Sequence, residues 1–161
     1  MGAFIDPGHL ALRPCTVPPP VWWAALPPDW QGGLTAFLQQ AGTEPVCLVL
    51  EQAGQCRVAG MVCSGLPADL LPFAEQLGAY GRHGQRYVGY LFALPPFRGQ
   101  GWAGQWLRLV CRRYPGETLW LTVEEEALVA FYQRNGFRFI QTLEHKGSKE
   151  WLLAKPPTMT G

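Results

Sequence analysis

Residues 93–103 have the sequence Ala93-Leu94-Pro95-Pro96-Phe97-Arg98-Gly99-Gln100-Gly101-Trp102-Ala103. The apolar and aromatic run before it, Tyr87 to Leu94, predicts a strand, which the two prolines end because proline lacks the N–H needed for strand pairing. From Gly101 to Arg113 the apolar residues recur at helical spacing. At a helix start several backbone N–H groups have no partner and the dipole is positive, so this loop is suited to bind a phosphate or diphosphate.

Three other interpretations of the loop have to be weighed. Gly-rich turns also occur as tight strand-to-helix connections with no ligand. A Walker phosphate loop is excluded because it needs Gly-Lys-Ser/Thr, and the first lysine of the chain is Lys146. Gly99, Gly101 and Gly104 do form the G-x-G-x-x-G pattern of a dinucleotide-binding fold. That pattern should follow its strand at once and begin a series of βαβ units, whereas residues 95–98 intervene here and only about sixty residues follow.

Arg98, Gly101 and Ala103 match the acyl-CoA signature of the GNAT superfamily of N-acetyltransferases, Gln/Arg-x-x-Gly-x-Gly/Ala. Residues 127–137 resemble the later Phe-Tyr-x-x-x-Gly-Phe segment of that family. The resemblance covers Tyr87 to about Ala154 well, and the first half of the chain only in the order of its elements. It implies an α/β (α+β) fold, with a mixed, largely antiparallel twisted sheet, helices on both faces and one splayed parallel strand pair around acyl-CoA.

Length and composition limit the alternatives. With 161 residues, 48% of them hydrophobic, the chain is expected to form one domain over residues 1–161, with an ordered core at 9–155 and a frayed tail at 156–161. A net charge of +1 predicts no nucleic acid partner and no anionic membrane surface. No targeting signal or membrane-spanning run is found, and five cysteines without CxxC spacing predict reduced thiols, a cytoplasmic protein and no metal site.

The remaining elements are predicted from apolar periodicity and from residues that start or stop helices. In the first half we expect a strand at 9–13, which Pro14 ends, and helices at 21–26 and 30–40, the second capped by Asp29. Strands 46–51 and 56–63 are expected to form a hairpin, with Gly60 at a bulge or close approach. A further helix is expected at 70–77, capped by Asp69 and ended by Gly78. In the second half we expect a strand at 118–122 that runs parallel to the strand at 87–94. A helix is expected at 123–134, opened by a Thr122-x-x-Glu125 capping box and stopped at Asn135-Gly136. Strands 137–143 and 150–154 are expected to form a closing hairpin.

The family resemblance implies which residues hold acetyl-CoA. In the family the pantetheine arm lies between the splayed strands, which assigns it to backbone groups of Phe92, Ala93 and Leu94. The diphosphate is then assigned to the N–H groups of Arg98, Gly99, Gln100, Gly101, Trp102, Ala103 and Gly104. Arg98 can alternatively be a solvated loop charge. Glu125 stands where the family usually has an Asn that bonds the cofactor, although the capping box is a sufficient structural reason for it.

Tyr132 matches the family tyrosine that protonates the leaving thiolate, and its alternative role is that of a core aromatic. The family often has a Glu on the strand before the loop, where it acts as the general base. Here the predicted strand has Tyr87, Gly89 and Leu91 on one face and Val88, Tyr90 and Phe92 on the other, so neither face carries a carboxylate. His83 on the preceding loop is the nearby group with a suitable pKa, and a lone loop histidine is more often simply solvated.

The resemblance implies an enzyme that transfers acetyl from acetyl-CoA to an amine of a small molecule or peptide by direct attack. Trp22, Trp23 and Trp30 lie where the family forms one wall of the acceptor site, which favours an apolar or aromatic amine unless they are core residues. A non-catalytic acyl-CoA or nucleotide-binding module is the alternative function. The sequence leaves open a homodimer and the identity of the acceptor.

Overall fold

A computed structural model describes residues 9–40, 42–82 and 85–158, and a seven-stranded sheet lies at its centre. The strands are β1 (Leu10–Cys15), β2 (Val46–Gln52), β3 (Gln55–Ser64), β4 (Gln85–Ala93), β5 (Thr118–Val123), β6 (Arg138–His145) and β7 (Ser148–Lys155). Their order is β1-β2-β3-β4-β5-β7-β6, and every neighbouring pair is antiparallel except β4 and β5. The predicted mixed, largely antiparallel sheet is confirmed. The alternative interpretation as a dinucleotide-binding fold is wrong, because that fold is built from parallel βαβ units.

Helices cover both faces of this sheet. They are α1 (Pro20–Ala25), α2 (Pro28–Gln39), α3 (Ala74–Leu77), α4 (Trp102–Arg113) and α5 (Val129–Arg134). On one side, the α1/α2 face, Trp22 and Leu34 share a buried cluster with Phe73 of the connector, residues 66–82 between β3 and β4. On the opposite side, the α4/α5 face, Trp106 and Val110 belong to a second buried cluster. No helix in the described ranges is long and apolar enough to cross a membrane.

The middle of the sheet is held against α4 by one close contact at Gly60 of β3. A Cβ at this position would lie 2.7 Å from Cζ2 of Trp106, so the tryptophan ring packs directly on the strand backbone. The indole Nε1 of Trp106 donates a hydrogen bond to the Leu48 carbonyl at 2.8 Å, which satisfies the buried N–H. The close approach predicted at Gly60 is confirmed.

The parallel pair is short. Gln85, Arg86 and Tyr87 of β4 pair with Thr118, Leu119 and Trp120 of β5, and beyond these residues the ladder does not continue. Since both strands run on for several residues, their carboxyl-terminal ends diverge and leave a gap. The predicted splay is confirmed, and the loop of residues 94–101 follows β4 at the open end of this gap.

Three predicted details of the first half are wrong. Pro14 lies inside β1, paired with Leu48, because β1 is an edge strand and tolerates the missing N–H. Asp29 and Asp69 do not cap helices, because Pro27 and Pro67 occupy the positions before α2 and before the connector helix. The connector is not one helix: it forms 3₁₀ turns at Ala68–Phe73 and Gly78–Gly81 on either side of α3.

The capping box predicted at Thr122 and Glu125 is also wrong. The strand β5 continues through Val123, and the Thr122 hydroxyl instead donates to the Glu150 carboxylate of β7 at 2.8 Å. The helix that follows begins as a 3₁₀ turn at Glu126–Leu128 and becomes α5 only at Val129. A hydroxyl partner on a neighbouring strand therefore outweighs the local capping pattern.

The predicted helix stops are confirmed. Gly78 and Gly136 follow α3 and α5 with φ angles of 56° and 92°, values that glycine adopts without strain. The predicted loop residues His83 and Gly84 lie outside the described ranges, as do residues 159–161 of the predicted tail. Within residues 156–158 there is no regular secondary structure, but the Thr158 N–H donates to the Pro115 carbonyl at 2.8 Å.

Candidate active site

A bulge in β4 lies beside the gap. Gly89 pairs with Met61 and Phe92 with Ala59, so Tyr90 and Leu91 of β4 together oppose Gly60 alone. Tyr90 adopts a φ of 56°, which is uncommon for a residue with a side chain. Beyond this bulge the predicted alternation of β4 is wrong, because the extra residue reverses it.

The reversal puts aromatic side chains on one face. Tyr90 and Phe92 pack with Tyr87 in the α1/α2 cluster, whereas Leu91 and Ala93 join Val88 in the α4/α5 cluster. As predicted, none of these β4 side chains carries a carboxylate.

Tyr90 is held in its unusual conformation by α2. Its ring lies 5.8 Å from Trp30 in an edge-to-face arrangement and 5.8 Å from Phe37. A Cβ at Gly33 of α2 would lie 2.8 Å from the Tyr90 hydroxyl oxygen, so the missing side chain makes room for that hydroxyl. Burial raises the pKa of Tyr90, which keeps the phenol protonated.

The three predicted acceptor-wall tryptophans support the same strand. Trp22 is fully buried, and its Nε1 donates to the Phe92 carbonyl at 2.9 Å. Trp30 packs edge-on against Phe92 at 5.9 Å, and Trp23 is partly buried against the same cluster. Trp22 is therefore a core residue that fixes the backbone beside the bulge.

The loop after β4 opens α4 as the sequence predicts. Gly99 and Gly101 have φ angles of 76° and 83°, and nothing lies within 4 Å of a Cβ built on either. Backbone conformation rather than crowding thus requires glycine at both positions. The first α4 hydrogen bond runs from the Gln105 N–H to the Gly101 carbonyl at 3.1 Å, and no side chain caps this end. The N–H groups of Trp102, Ala103 and Gly104 therefore precede the intrahelical ladder.

Two arginines lie near this helix start. Arg98 lies over the Phe92 ring with its Cζ 4.8 Å from the centroid, so it is stacked rather than fully solvated. Arg57 of β3 is held over the Phe97 ring at 4.0 Å, and its buried Nε has no hydrogen-bond partner among the described residues. Sequence reasoning missed Arg57 because only the bulged pairing brings the start of β3 under the loop. Gln100 bonds within the loop, accepting from Trp102 Nε1 at 3.2 Å.

Tyr132 lies on α5, on the α4/α5 face of the sheet. Its ring packs edge-on against Phe131 at 5.0 Å and Phe137 at 5.9 Å, and burial raises its pKa to about 12. The phenol is therefore protonated at neutral pH and able to donate a proton. Glu125 is exposed and lies outside α5, at the position before the 3₁₀ turn Glu126–Leu128, so the two residues do not belong to one α-helix.

A cleft of about 400 Å³ lies on the α1/α2 face beyond the end of β5. Three carboxylates line it: Asp69 of the connector, Glu124 after β5 and Glu150 of β7. Burial raises the pKa of Asp69 and that of Glu150. Sequence reasoning missed them because they come from distant segments. For Glu150 the sequence does contain a signal: strand alternation places it on the same face of β7 as the buried residues Leu152 and Ala154.

Other reactive groups are few in the described ranges. No group of three or more His, Cys, Asp and Glu side chains is placed there to hold a metal ion. The five cysteines are free thiols. Burial raises the pKa of Cys47 to about 12, of Cys56 to about 11 and of Cys63 to about 12, so these three thiols stay protonated.

Several solved structures have a similar fold. The ribosomal-protein-S18-alanine N-acetyltransferase from Escherichia coli is 15% identical, with a TM-score of 0.61 over 94% of this chain and 97% of that chain. A Bacillus subtilis acetyltransferase in complex with CoA is 9% identical, with a TM-score of 0.65 over 92% and 99%. A GNAT family acetyltransferase from Elizabethkingia anophelis with acetyl-CoA bound is 15% identical, with a TM-score of 0.55 over 91% and 97%. At these identities the likeness shows the fold alone.

Sequence comparison gives the family. A search of curated proteins finds no significant match. The model of the acetyltransferase (GNAT) family, in contrast, matches residues 18–137, which is well over half of the chain and includes the loop before α4 and the Tyr132 segment. The chain therefore belongs to the GNAT family of acetyltransferases.

Proposed function

We propose that the protein transfers an acetyl group from acetyl-CoA to an amine of a small molecule or peptide, by direct attack of the amine on the thioester. The observation that carries this proposal is the gap between β4 and β5, which runs from the start of α4 to the bulge at Tyr90. Family membership and the fold shared with proteins that hold CoA or acetyl-CoA support it.

The diphosphate of acetyl-CoA is assigned to the start of α4. The N–H groups of Trp102, Ala103 and Gly104 are free of the helical ladder, and α4 has no acidic residue in its first turn. The positive end of the helix dipole and the Arg98 guanidinium favour an anion at this point. Gly99, Gln100 and Gly101 complete the loop, as the sequence predicts.

The pantetheine arm is assigned to the edge of β4 that faces the gap. The Leu94 N–H already donates to the Arg57 carbonyl of β3 at 3.0 Å, and the Phe92 carbonyl accepts from Trp22. Because successive strand residues direct their backbone groups to opposite edges, those of Ala93 face the gap. Of the three residues predicted from the sequence, Ala93 is thus the one we assign to the pantetheine amide.

The thioester is assigned to the bulge. An extra residue in one strand leaves backbone N–H groups without ladder partners, and such groups can stabilise the oxyanion that forms when an amine attacks a carbonyl. At Tyr90 and Leu91 this irregular backbone lies beside the gap and is fixed by aromatic packing on α2. Preorganised donors of this kind need no rearrangement during the reaction.

Tyr132 is assigned as the general acid. Breaking the C–S bond leaves a thiolate, and a phenol that is protonated at neutral pH supplies its proton. Direct attack is favoured over an acyl-enzyme route because Cys47, Cys56 and Cys63 are buried, protonated thiols. Glu125 remains a predicted cofactor contact, and the cytoplasmic location and a homodimer remain predictions from the sequence.

An amine screen tests this function. Acetyl-CoA is incubated with aromatic amines, amino acids, polyamines, aminoglycosides and peptide N-termini, while CoA release is followed and acetylated products are identified by mass spectrometry. We expect at least one amine to be acetylated at a rate above thioester hydrolysis. Tight CoA binding by calorimetry with no acetylated product from any class would favour the non-catalytic binding module instead.

A further inference from the structure

Glu150 is held in a fixed position at the open end of β5. Its Oε1 accepts a hydrogen bond from the Thr122 hydroxyl at 2.8 Å, across the β5–β7 pair. Thr122 is the residue before the last of β5, so this carboxylate lies next to the point where β5 leaves the ladder with β4. Glu150 also lies beyond residue 137, where the match to the family model ends.

Tyr87 of β4 points from the other side of the gap toward the same region. Its residue is 6% exposed, and a Cβ on Gly89 would collide with its hydroxyl, so the phenol extends along the strand toward the bulge. No hydrogen bond to this hydroxyl is found among the described residues, so it is available to a ligand or water.

The strand register places Glu150 level with the bulge. β4 and β5 run parallel with Gln85 opposite Thr118, so Thr122, which bonds Glu150, is level with Gly89 at the start of the bulge. Glu150 shares the strand face of Leu152 and Ala154, which belong to the same α1/α2 cluster as Tyr87 and Tyr90. Burial is the main cause that raises the pKa of these two tyrosines, and nearby carboxylate charges raise it further. The Glu150 carboxylate therefore faces the gap from the side opposite to Tyr132, which belongs to the α4/α5 cluster.

Resting on the function proposed above, we infer that Glu150 is the general base of the transfer and that its cleft binds the acceptor as a cationic amine. The Thr122 hydroxyl positions one carboxylate oxygen, and the other is left to accept a proton from the incoming ammonium. Asp69 and Glu124 supply further negative charge to the same cleft.

Glu150 suits this role better than the other charged groups around the cleft. Glu124 is exposed, and the Lys149 ammonium is a donor only. The His145 ring packs edge-on against Phe73, with the ring centroids 6.2 Å apart, and no side-chain hydrogen bond among the described residues positions it as Thr122 positions Glu150. Burial raises the pKa of Glu150, the Thr122 hydrogen bond lowers it, and the Glu124 and Asp69 charges raise it again. A carboxylate with a raised pKa is a stronger base than an ordinary one.

The proton balance is complete without any further reactant. Glu150 takes one proton from the ammonium, and the freed lone pair forms the C–N bond at the thioester carbon. As the tetrahedral intermediate collapses, the C–S bond breaks and sulfur leaves with the Tyr132 proton. The second N–H proton of the new amide returns to Tyr132 through water, and Glu150 releases its proton to solvent.

An acidic cleft reverses the acceptor preference expected from the sequence. That expectation needed tryptophans to line the cleft, whereas Trp22 is fully buried and Trp30 packs on Tyr90 and Phe92. A cleft with three carboxylates favours positive charge over an aromatic ring. Diamines and polyamines should therefore outrank aromatic amines in the amine screen.

Glu150→Gln tests the base, because glutamine keeps the shape and can still accept from Thr122. At pH 7 we expect kcat/KM to fall about a hundredfold or more. The pH profile separates catalysis from structure: the natural protein should reach a plateau above the pKa of Glu150. The variant should instead gain about tenfold per pH unit up to the pKa of the amine itself, since only the free amine can then attack.

The control is Glu75→Gln, which removes an exposed carboxylate from α3 outside the cleft and should leave both rate and profile unchanged. Retained activity and an unchanged plateau in Glu150→Gln would overturn the assignment while the acetyl transfer itself still stands. If the natural protein acetylates no amine, the proposed function fails first.

A substrate pair tests the charge preference. For 1,4-diaminobutane against butylamine we expect kcat/KM to favour the diamine about tenfold, since one added charge contacts a partly desolvated acidic wall. Asp69→Asn should reduce this preference and leave the butylamine rate less affected. Equal rates for both amines, or a preference for benzylamine over the diamine, would refute the cationic acceptor.

Discussion

The side-chain oxygen of Asn135 lies 3.1 Å from the position that a Cβ on Gly104 would occupy. The amide of Asn135 also donates to the Phe131 carbonyl at 2.8 Å, which ties the end of α5 together. The first turn of α4, which we assign to the diphosphate, is thus in contact with the helix that carries Tyr132. Gly104 is required here for close approach of two helices rather than for a special φ angle.

Gly104→Ala should show this contact as non-additivity. Alanine raises helix propensity by up to about 1 kcal/mol, but its Cβ must displace Asn135. Asn135→Ala alone should cost about 1 kcal/mol through the lost hydrogen bond. Urea unfolding of both single variants and the double variant should give a coupling of at least about 0.5 kcal/mol, with the double variant more stable than the sum predicts. Strictly additive changes in the free energy of unfolding would show that Asn135 moves away from the new Cβ at no cost.

Gly33→Ala should be harmful only while Tyr90 has its hydroxyl. The new Cβ would lie 2.8 Å from that oxygen, so we expect lower thermal stability and slower acetyl transfer. In a Tyr90→Phe background the space is free, and Gly33→Ala should then stabilise by up to about 1 kcal/mol because it replaces a mid-helix glycine. If Gly33→Ala changed stability and rate equally with and without the Tyr90 hydroxyl, the contact between α2 and the bulge would not matter for either.

Ala103→Glu should separate ligand binding from folding at the start of α4. A carboxylate in the first turn favours the helix dipole, so stability should hold or rise, yet it should repel the diphosphate and weaken CoA binding about tenfold or more. Ala79→Glu adds the same charge near the opposite end of β4 and serves as the matched control. Calorimetry giving equal CoA affinity for both variants would remove the loop from the site. Gly101→Val is less informative, since a φ of 83° strains valine directly.

Tyr132→Phe should lower kcat at least about tenfold, because the leaving thiolate loses its proton donor while the packing area is retained. Affinity for acetyl-CoA and the Tm should barely change. Tyr114→Phe, at the other end of α4, is the matched control. Full activity with a reduced Tm in Tyr132→Phe would show a purely structural tyrosine.

The contribution of Asp69 and Glu150 to the stability of the protein should decrease as pH rises through the carboxyl range. Burial raises the pKa of Asp69 and Glu150, so the folded state binds their protons more tightly than the unfolded chain does. Their contribution is therefore fully present below the unfolded pKa of about 4 and is lost as pH passes the folded values. Asp69→Asn should flatten the Tm profile and raise Tm at pH 7. An unchanged slope would mean that Asp69 is solvated.

Local chemistry explains what could be predicted from the sequence. The strand, loop and helix around Gly99 and Gly101 were predictable because prolines end a strand and glycines permit positive φ angles. The same holds for the stop at Gly136. In each case the cause lies within a few residues of the effect.

The errors arose where a distant partner decides the local structure. Thr122 was expected to cap a helix, but its hydroxyl bonds Glu150 on another strand. The sequence does not reveal this contact because the two residues are far apart in the chain. The alternation of β4 failed because Tyr90 takes a positive φ that only its contacts with α2 make tolerable. Arg57 and the acidic cleft were missed for the same reason, since each is assembled by tertiary contacts.

The short β4–β5 ladder has a mechanical consequence. Three residue pairs and the ion pair of Arg86 with Glu117, whose two hydrogen bonds measure 2.6 and 2.8 Å, join β1–β4 to β5–β7 at one end. The sheet therefore consists of two half-sheets that pair at one end and stand apart at the other. On the site assignment proposed above, a cosubstrate bonded to the free edge of β4 would take the place of the missing strand, so that binding of acetyl-CoA would also complete the sheet and stabilise the folded protein.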